Sequence, residues 1–292
     1  MLSRPHQSCP ETSGQVGPKY IKVLQNQRKC CIIMLSDLLR EDFMCRERIV
    51  YSNNINDSDH LFRYMSLAQF ISIIENQKLY LKKVKLWDDP WEAPDDQLPL
   101  MGKGGNPIFT ESLLASSTVG QCWTCEKDSD AMWRIYSPDC QGVMIETVVK
   151  NFTSIENLRH ASLAKVIYYN KSNYIEKRYE IANNHSYTFA GDMALKREAF
   201  KHENEVRLLV CLQDYHELGD IWEIPVVGFN IDPKQFITSI TFDPRAEDWF
   251  VETMKKYCMS KQLNCPTEKS TLYTKDLFES TSIIRKYETV KK

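Results

Sequence analysis

The stretch from His60 to Val84 constrains the fold more than any other part of the sequence. In LFRYM, Phe62 and Tyr64 alternate with Leu61, Arg63 and Met65, which is the period of a strand. Ser66 follows as a good helix N-cap. Leu67, Phe70, Ile71 and Ile74 then recur at i, i+3, i+4 and i+7, the spacing of one helical face. Asn76 stops that helix, and KLYLKKV returns as a strand. The unit reads as strand, capped helix, strand.

Further along, VGQCWTC reads as a strand and DSDAMWRIY as a short helix capped by Asp128 or Ser129. GVMIET and ASLAKVIYY are read as strands. The stretch from Tyr187 to Phe200 is expected to be helical, although Gly191 weakens it. EVRLLVCL, IWEIPVV and FITSITFDP each read as strands. A helix from Ala246 to about Ser260 puts Trp249, Phe250, Met254 and Tyr257 on a core-facing stripe. There are no internal repeats and no βαβ glycine fingerprint. The element order fits an α+β fold with mixed, mainly antiparallel sheets and flanking helices, better than a doubly wound sheet.

The first 58 residues are read as a peripheral extension. Pro5, Pro10, Gly14, Gly17 and Pro18 mark a flexible tail, and SNNINDSD reads as a turn-rich linker. Residues 59–292 are expected to form one catalytic-type α+β domain. The start, MLSRPHQSCPETSGQ, lacks the apolar core of a signal peptide, and CCIIML is far too short to cross a bilayer. The ten cysteines are scattered without framework spacing. They are read as mostly reduced and buried in a cytoplasmic protein with no membrane partner. A formal net charge of -2 excludes a generally basic, nucleic-acid-coating protein, so nucleic acid would have to be met by a local basic patch.

The sharpest chemical feature is KHENEVRLLV, Lys201 to Val210. Glu203 and Glu205 stand two apart before an apolar strand. If strand geometry reaches back to them, both carboxylates share one side. Proximity pushes the pKa values of two such groups apart, so that one stays ionised while the other takes a proton. The same pair could hold a divalent metal. The plainer reading is a solvated strand entrance in which Arg207 pairs one glutamate.

His60 and Arg63 flank the first strand of the unit. Arg63 leaves the aromatic side and could present its rigid fork of donors to a phosphate, the plainer alternative being a surface arginine. His60 reads more readily as a strand-start residue than as a ligand. CWTC is a lone CxxC, a weak zinc signal without a second pair. On a strand, Thr124 could offer its hydroxyl to a ligand. In WDDPWE, Asp88, Asp89 and Glu92 form either an acidic binding loop or a turn pinned by its tryptophans. Trp133 and Tyr136 are core residues unless they line a stacking pocket.

Five blocks, in order, resemble a defence-associated bacterial family, the domain of unknown function 2971 family. They are LFRYMSLAQFISIIENQKLYL, WDDPWEA, CWTCEKDSDAMWRIYSPDCQGVMIE, KREAFKHENEVRLLV and ITFDPRAEDW. The resemblance runs from about His60 to the C-terminal region and leaves residues 1–58 uncovered. ENEV before an apolar strand is also similar, more distantly, to the Glu-x-Glu segment of arginine-directed ADP-ribosyltransferases. Their pattern is an early arginine, a middle Ser/Thr strand and a late Glu-x-Glu. The corresponding residues here are Arg63, Thr124, and Glu203 with Glu205. The usual Ser-Thr-Ser run is missing, since SST at 116–118 precedes the strand.

That resemblance implies an ADP-ribosyltransferase-like core using NAD as substrate. It gives Arg63 the NAD pyrophosphate or ribose, and Thr124 the organisation of the pocket. Glu205 would bind the nicotinamide ribose hydroxyl and stabilise oxocarbenium-like charge, while Glu203 would orient or deprotonate an acceptor. Tyr64 or Trp133 would stack on the nicotinamide, and His60 would stand near the cofactor. The implied acceptor is a macromolecule, protein or nucleic acid, and a regulatory or antitoxin-like partner is expected. Two other functions stay open on the residues: a metal-dependent nuclease or hydrolase using Asp88, Asp89, Glu203 and Glu205, and a non-catalytic binding module in which Glu205 meets solvent or is locked to Arg207.

Overall fold

The computed structural model describes residues 49–52, 54–92, 100–101, 107–108 and 113–274. The N-terminal tail and the CCIIML run lie outside the described residues. In chain order the elements are β1 (Ile49–Tyr51), β2 (His60–Met65), α1 (Leu67–Asn76), β3 (Lys78–Lys83), β4 (Leu100–Met101), β5 (Pro107–Ile108), α2 (Leu113–Ser117) and β6 (Thr118–Thr124). They continue with α3 (Asp130–Tyr136), β7 (Val143–Val148), β8 (Ala161–Lys165), β9 (Ile167–Tyr169), α4 (Tyr174–Ala182), β10 (Leu195–Arg197) and β11 (Glu205–Cys211). The last are β12 (Val226–Asn230), α5 (Pro233–Phe236), β13 (Ser239–Phe242), α6 (Asp248–Ser260) and β14 (Thr267–Lys269). Short 3-10 turns at Pro90–Glu92, His185–Ala194 and Glu198–Glu203 complete the frame of the site. Among the described residues, no helix is long and apolar enough to cross a membrane.

The fold is α+β and mainly antiparallel. The main sheet runs β1-β8-β11-β6-β2-β7-β13-β14, and β3, carrying β12, joins it at β6. The pairs β1·β8, β13·β14 and, in a separate small sheet, β9·β10 are parallel. Ile49–Tyr51, counted with the extension on sequence grounds, thus forms an edge strand. The expected β2–α1–β3 unit is present. Ser66 accepts from the Gln69 amide while the Gln69 side chain accepts from the Ser66 amide, a full capping box. Phe70, Ile73 and Ile74 carry the buried face of α1.

Strand β6 decides the shape of the site. One edge pairs with β11 from Thr118 to Thr124. The other edge meets β2 only at Thr124, opposite Phe62, and β3 only at Val119 and Gly120, opposite Lys83 and Lys82. Between those contacts β2 and β3 part, and the sheet forks. Backbone groups exposed by a fork need partners. Side chains serve here: an Arg63 Nη1–H donates to the Cys122 carbonyl, and Gln121 Nε2 donates to the Tyr80 carbonyl at 3.1 Å.

Four sequence expectations are corrected. Tyr187 to Phe200 is not an α-helix: 3-10 turn, β10 and a second 3-10 turn divide it, and Gly191 sits at φ +38°. ASLAKVIYY breaks after Lys165 because β9 leaves β8 to pair with β10. The IWEIPVV strand starts only at Val226 and continues to Asn230. On α6 the buried stripe is Phe250, Val251, Met254 and Cys258, which leaves Trp249 65% exposed.

Candidate active site at the fork

A cleft of about 560 Å³ opens at the fork. Its walls come from β2, β3 and β6, from the WDDPWE segment, from Tyr136 on α3, and from the 196–205 stretch. That volume falls within the roughly 300–1,000 Å³ typical of small-molecule sites.

Glu203 and Glu205 both line it, by a route that strand periodicity does not describe. Strand β11 begins at Glu205; Glu203 ends a 3-10 turn, and Asn204 between them adopts φ 39°. The two carboxylates meet through a third residue instead. Lys196 Nζ lies 2.5 Å from Glu203 Oε2, 3.1 Å from Glu205 Oε2 and 3.3 Å from Glu92 Oε1. Arg207 completes the network, with Nη2 2.8 Å from Glu92 Oε1 and 3.0 Å from Glu205 Oε2, and Nη1 donating to the Met193 carbonyl at 2.6 Å. Its guanidinium also lies 4.7 Å from the centre of the Trp87 ring. Arg207 is fully buried, and Glu205 is 2% exposed.

Burial by itself would favour the neutral form of Glu205, but Arg207 and Lys196 outweigh it and hold the carboxyl at about 2. Glu92 goes the other way: burial raises it, with Arg207 and Lys196 opposing. Both cations titrate upward despite burial, because Glu205 and its fellow carboxylates surround them. Formally, three carboxylates against two cations leave the cluster at one negative charge. Glu205 uses Oε2 for both cations. Its Oε1 is buried without an oxygen or nitrogen donor.

Arg63 and Tyr64 line the same cleft. Arg63 is half-buried, and burial lowers its pKa, with the nearby Cys122, Tyr136 and Glu205 opposing. Tyr64 accepts from the Ser129 amide at 2.9 Å, and burial pushes its phenol up to about 12. Thr124 also lines the cleft, yet its hydroxyl is committed: it donates to the Glu203 carbonyl at 2.5 Å and accepts from the Glu126 amide at 2.9 Å. It fixes the corner that carries Glu203.

Two sequence candidates stand apart from the cleft. Trp133 is fully buried behind Tyr64, ring centroids 4.8 Å apart in an edge arrangement, and its indole N–H binds Asp128. Tyr136, one turn on, lines the cleft in its place. His60 is exposed, with Nδ1 2.5 Å from Glu146. It starts β2 and takes no part in the cleft wall.

The four carboxylates of the metal reading do not converge. Asp88 lies 3.5 Å from Lys82, Asp89 grips Arg197 with two 3.1 Å hydrogen bonds, and Glu203 and Glu205 share Lys196. Among the described residues no cluster of His, Cys, Asp or Glu is placed to hold a metal. The binding-module reading expects Glu205 locked to Arg207 and no cleft beside it; the lock is present, and so is the cleft. Sequence reasoning passed over Lys196 and the burial of Glu92. Lys196 lies in a stretch whose sequence reads as helix, and Glu92 in one that reads as an acidic binding loop or a turn pinned by its tryptophans.

No curated protein sequence matches the chain. Two solved structures of DarT from Thermus sp. 2.9 are similar to it at low identity. One, in complex with ADP-ribosylated ssDNA, is 8% identical with a TM-score of 0.34, covering 75% of this chain and 96% of that one. The other, in complex with NAD+, is 9% identical with a TM-score of 0.33, covering 74% and 96%. Residues 132–208, which include Lys196, Glu203, Glu205 and Arg207, match the family model described as protein of unknown function (DUF2971), the family that the five sequence blocks resemble.

Proposed function

We propose that this chain is an NAD-dependent ADP-ribosyltransferase with Glu205 as its catalytic carboxylate. The observation that carries the reading is the placement of Glu205: buried in a cleft wall and ion-paired through Oε2 to both Lys196 and Arg207. A carboxylate so held resists protonation when a ligand excludes water. Its negative charge is in place before positive charge develops at a breaking N-glycosidic bond, which is how a preorganised site lowers a barrier.

The unpaired Oε1 supplies the fit test for a ribose, since a buried acceptor without an oxygen or nitrogen donor suits a hydroxyl. Arg63 keeps donors beyond the one given to the Cys122 carbonyl, and with Lys82 it would hold the diphosphate. Tyr64 and Tyr136 offer rings to the nicotinamide. Glu203, tied to Lys196 at the end of the same wall, would orient or deprotonate the acceptor. The family resemblance supports a macromolecular acceptor, protein or nucleic acid, in an anti-phage or toxin-like effector restrained by a partner.

The test is nicotinamide release by the purified protein, wild type beside Glu205→Gln, with cell lysate as acceptor source and EDTA as control. EDTA-insensitive release that falls by about 1,000-fold in the variant supports the reading, the scale expected when a charge-stabilising group is lost. EDTA-sensitive turnover, or equal release by both proteins, overturns it.

A further inference from the structure

Among the described residues, Lys196 is the one buried cation that touches both glutamates of the ENE segment. An ammonium has three N–H donors and no acceptor. Lys196 has three carboxylate oxygens around it, one each from Glu203, Glu205 and Glu92, and its side chain is only 8% exposed. Donor count and acceptor count match. These partners come from three separate places: the end of a 3-10 turn, the first residue of β11 and the turn after WDDP.

Its place in the chain adds a second constraint. Lys196 on β10 and Glu203 stand at the two ends of the 198–203 turn, so their contact closes that turn. Strand β10 is held outside the main sheet by parallel pairing to β9, and the Tyr168 hydroxyl of β9 accepts the Glu205 amide at 2.9 Å. The small sheet therefore grips Glu205 by its backbone through Tyr168 and by its carboxylate through Lys196.

We propose that Lys196 is a positioning residue of this active site, which fixes the spacing of Glu203 and Glu205 and binds Glu205 through Oε2, leaving its Oε1 for the substrate. The inference rests on the transferase reading of the cleft. Lys196 is placed to act through the two glutamates, with Glu92 as its counterweight on the far side. The other ionisable groups facing this cluster are Arg207 on β11, Arg63 on β2, Cys122 on β6, Tyr136 on α3 and Tyr168 on β9.

The experiment compares wild type, Lys196→Met and Lys196→Arg in nicotinamide release at pH 7 and in thermal unfolding across about pH 3 to 9. Lys196→Met is expected to lose kcat by about 100-fold, the cost of a misplaced reacting group, with KM for NAD little changed. Below about pH 4.5 its stability should fall less steeply with acid than that of wild type, because Glu205 has lost a neighbouring cation. Lys196→Arg, which keeps the charge but not the three-way geometry, should keep the wild-type acid slope and recover only part of kcat. A Lys196→Met protein with wild-type kcat, or with the wild-type acid slope, overturns the inference. Should Lys196→Met fail to fold, the Arg variant decides: full wild-type kcat overturns the positioning role and partial kcat supports it. Absence of turnover in the wild type overturns the transferase reading itself, and with it the assignment of Lys196 to that reaction. The unfolding profiles then still report whether Lys196 keeps Glu205 charged.

Discussion

Glu205 and Arg207, two residues apart on one face of β11, form a 3.0 Å ion pair that solvent does not reach. Period two makes the contact possible, and the low-dielectric interior makes it consequential. Removing one partner leaves an uncompensated buried charge. Arg207→Met leaves the buried Glu205 and Glu92 to share Lys196, with negative charge in excess, so it should destabilise the protein by about 3–5 kcal/mol in urea unfolding at pH 7. The double variant Arg207→Met/Glu205→Gln should cost clearly less than the sum of the two single changes, since the same interaction is lost only once. Additive losses would show that the two side chains are not energetically coupled.

Stability should also fall in acid along a path set by Glu205. Its folded-state carboxyl, pulled by Arg207 and Lys196 against burial, sits at about 2 against an ordinary value of 4.5. A depressed folded pKa contributes stability that is complete above the unfolded value and lost as pH falls towards the folded one. The window is therefore from about 4.5 down to about 2, and the contribution is on the order of 3 kcal/mol at most. Glu92, shifted upward, offsets part of it. Urea unfolding between pH 3 and 6 should show a steep acid slope in wild type and a shallower one in Glu205→Gln. Parallel slopes would remove Glu205 as the source.

Part of this site could be read from the sequence and part could not, for physical reasons. The β2–α1–β3 unit is encoded locally by an alternation, a capping box and a helical stripe, and it forms where those signals place it. Strand β11 is legible from its apolar run. The burial of Glu205 and Arg207 within that run is not, because isolated charges favour water and only their mutual pairing reverses this. Strand period alone groups Glu203 with Glu205, yet a left-handed Asn204 separates them and Lys196 reunites them. The fork depends on which short stretches of β2 and β3 reach β6, contacts set by long-range pairing that a local pattern does not record. Trp133 and Tyr136 show the same limit at one helical turn: one is core and the other lines the cleft.

Thr124 should matter as a scaffold. Its hydroxyl ties the Glu203 carbonyl to the Glu126 amide from a site that is 2% exposed. Thr124→Val keeps the shape, removes both hydrogen bonds and leaves the buried Glu203 carbonyl unpaired, a cost of about 1–3 kcal/mol. Thr124→Ser keeps the hydroxyl and should lose little stability. In nicotinamide release, the Val variant should lose kcat while the Ser variant stays near wild type. Equal activity in both would free Thr124 of any part in holding Glu203.

Gly120 offers the most local test of the cleft wall. A Cβ at this position would stand 2.7 Å from Trp87 Cζ2, 2.8 Å from Leu209 Cδ2 and 3.2 Å from the Leu208 carbonyl. The indole lies against the bare backbone of β6 and, on its ring face, meets the Arg207 guanidinium. Gly120→Ala has to push Trp87 aside, because the backbone carbonyl and the packed leucine leave little room elsewhere. Overpacking of this kind costs about 1–3 kcal/mol. It should also disturb the cation–ring contact over Arg207 and, through it, the charge network under Glu205. The expected result is a lowered melting temperature, a shift in tryptophan fluorescence, and weaker NAD binding measured by calorimetry. A control at Gly219, where added atoms meet nothing within 4 Å but φ is +78°, separates the two origins of glycine dependence. Gly219→Ala should lose stability through backbone strain alone and leave NAD binding untouched. If both variants bind NAD as wild type does, the Trp87–Arg207 stack is not part of the ligand-binding wall.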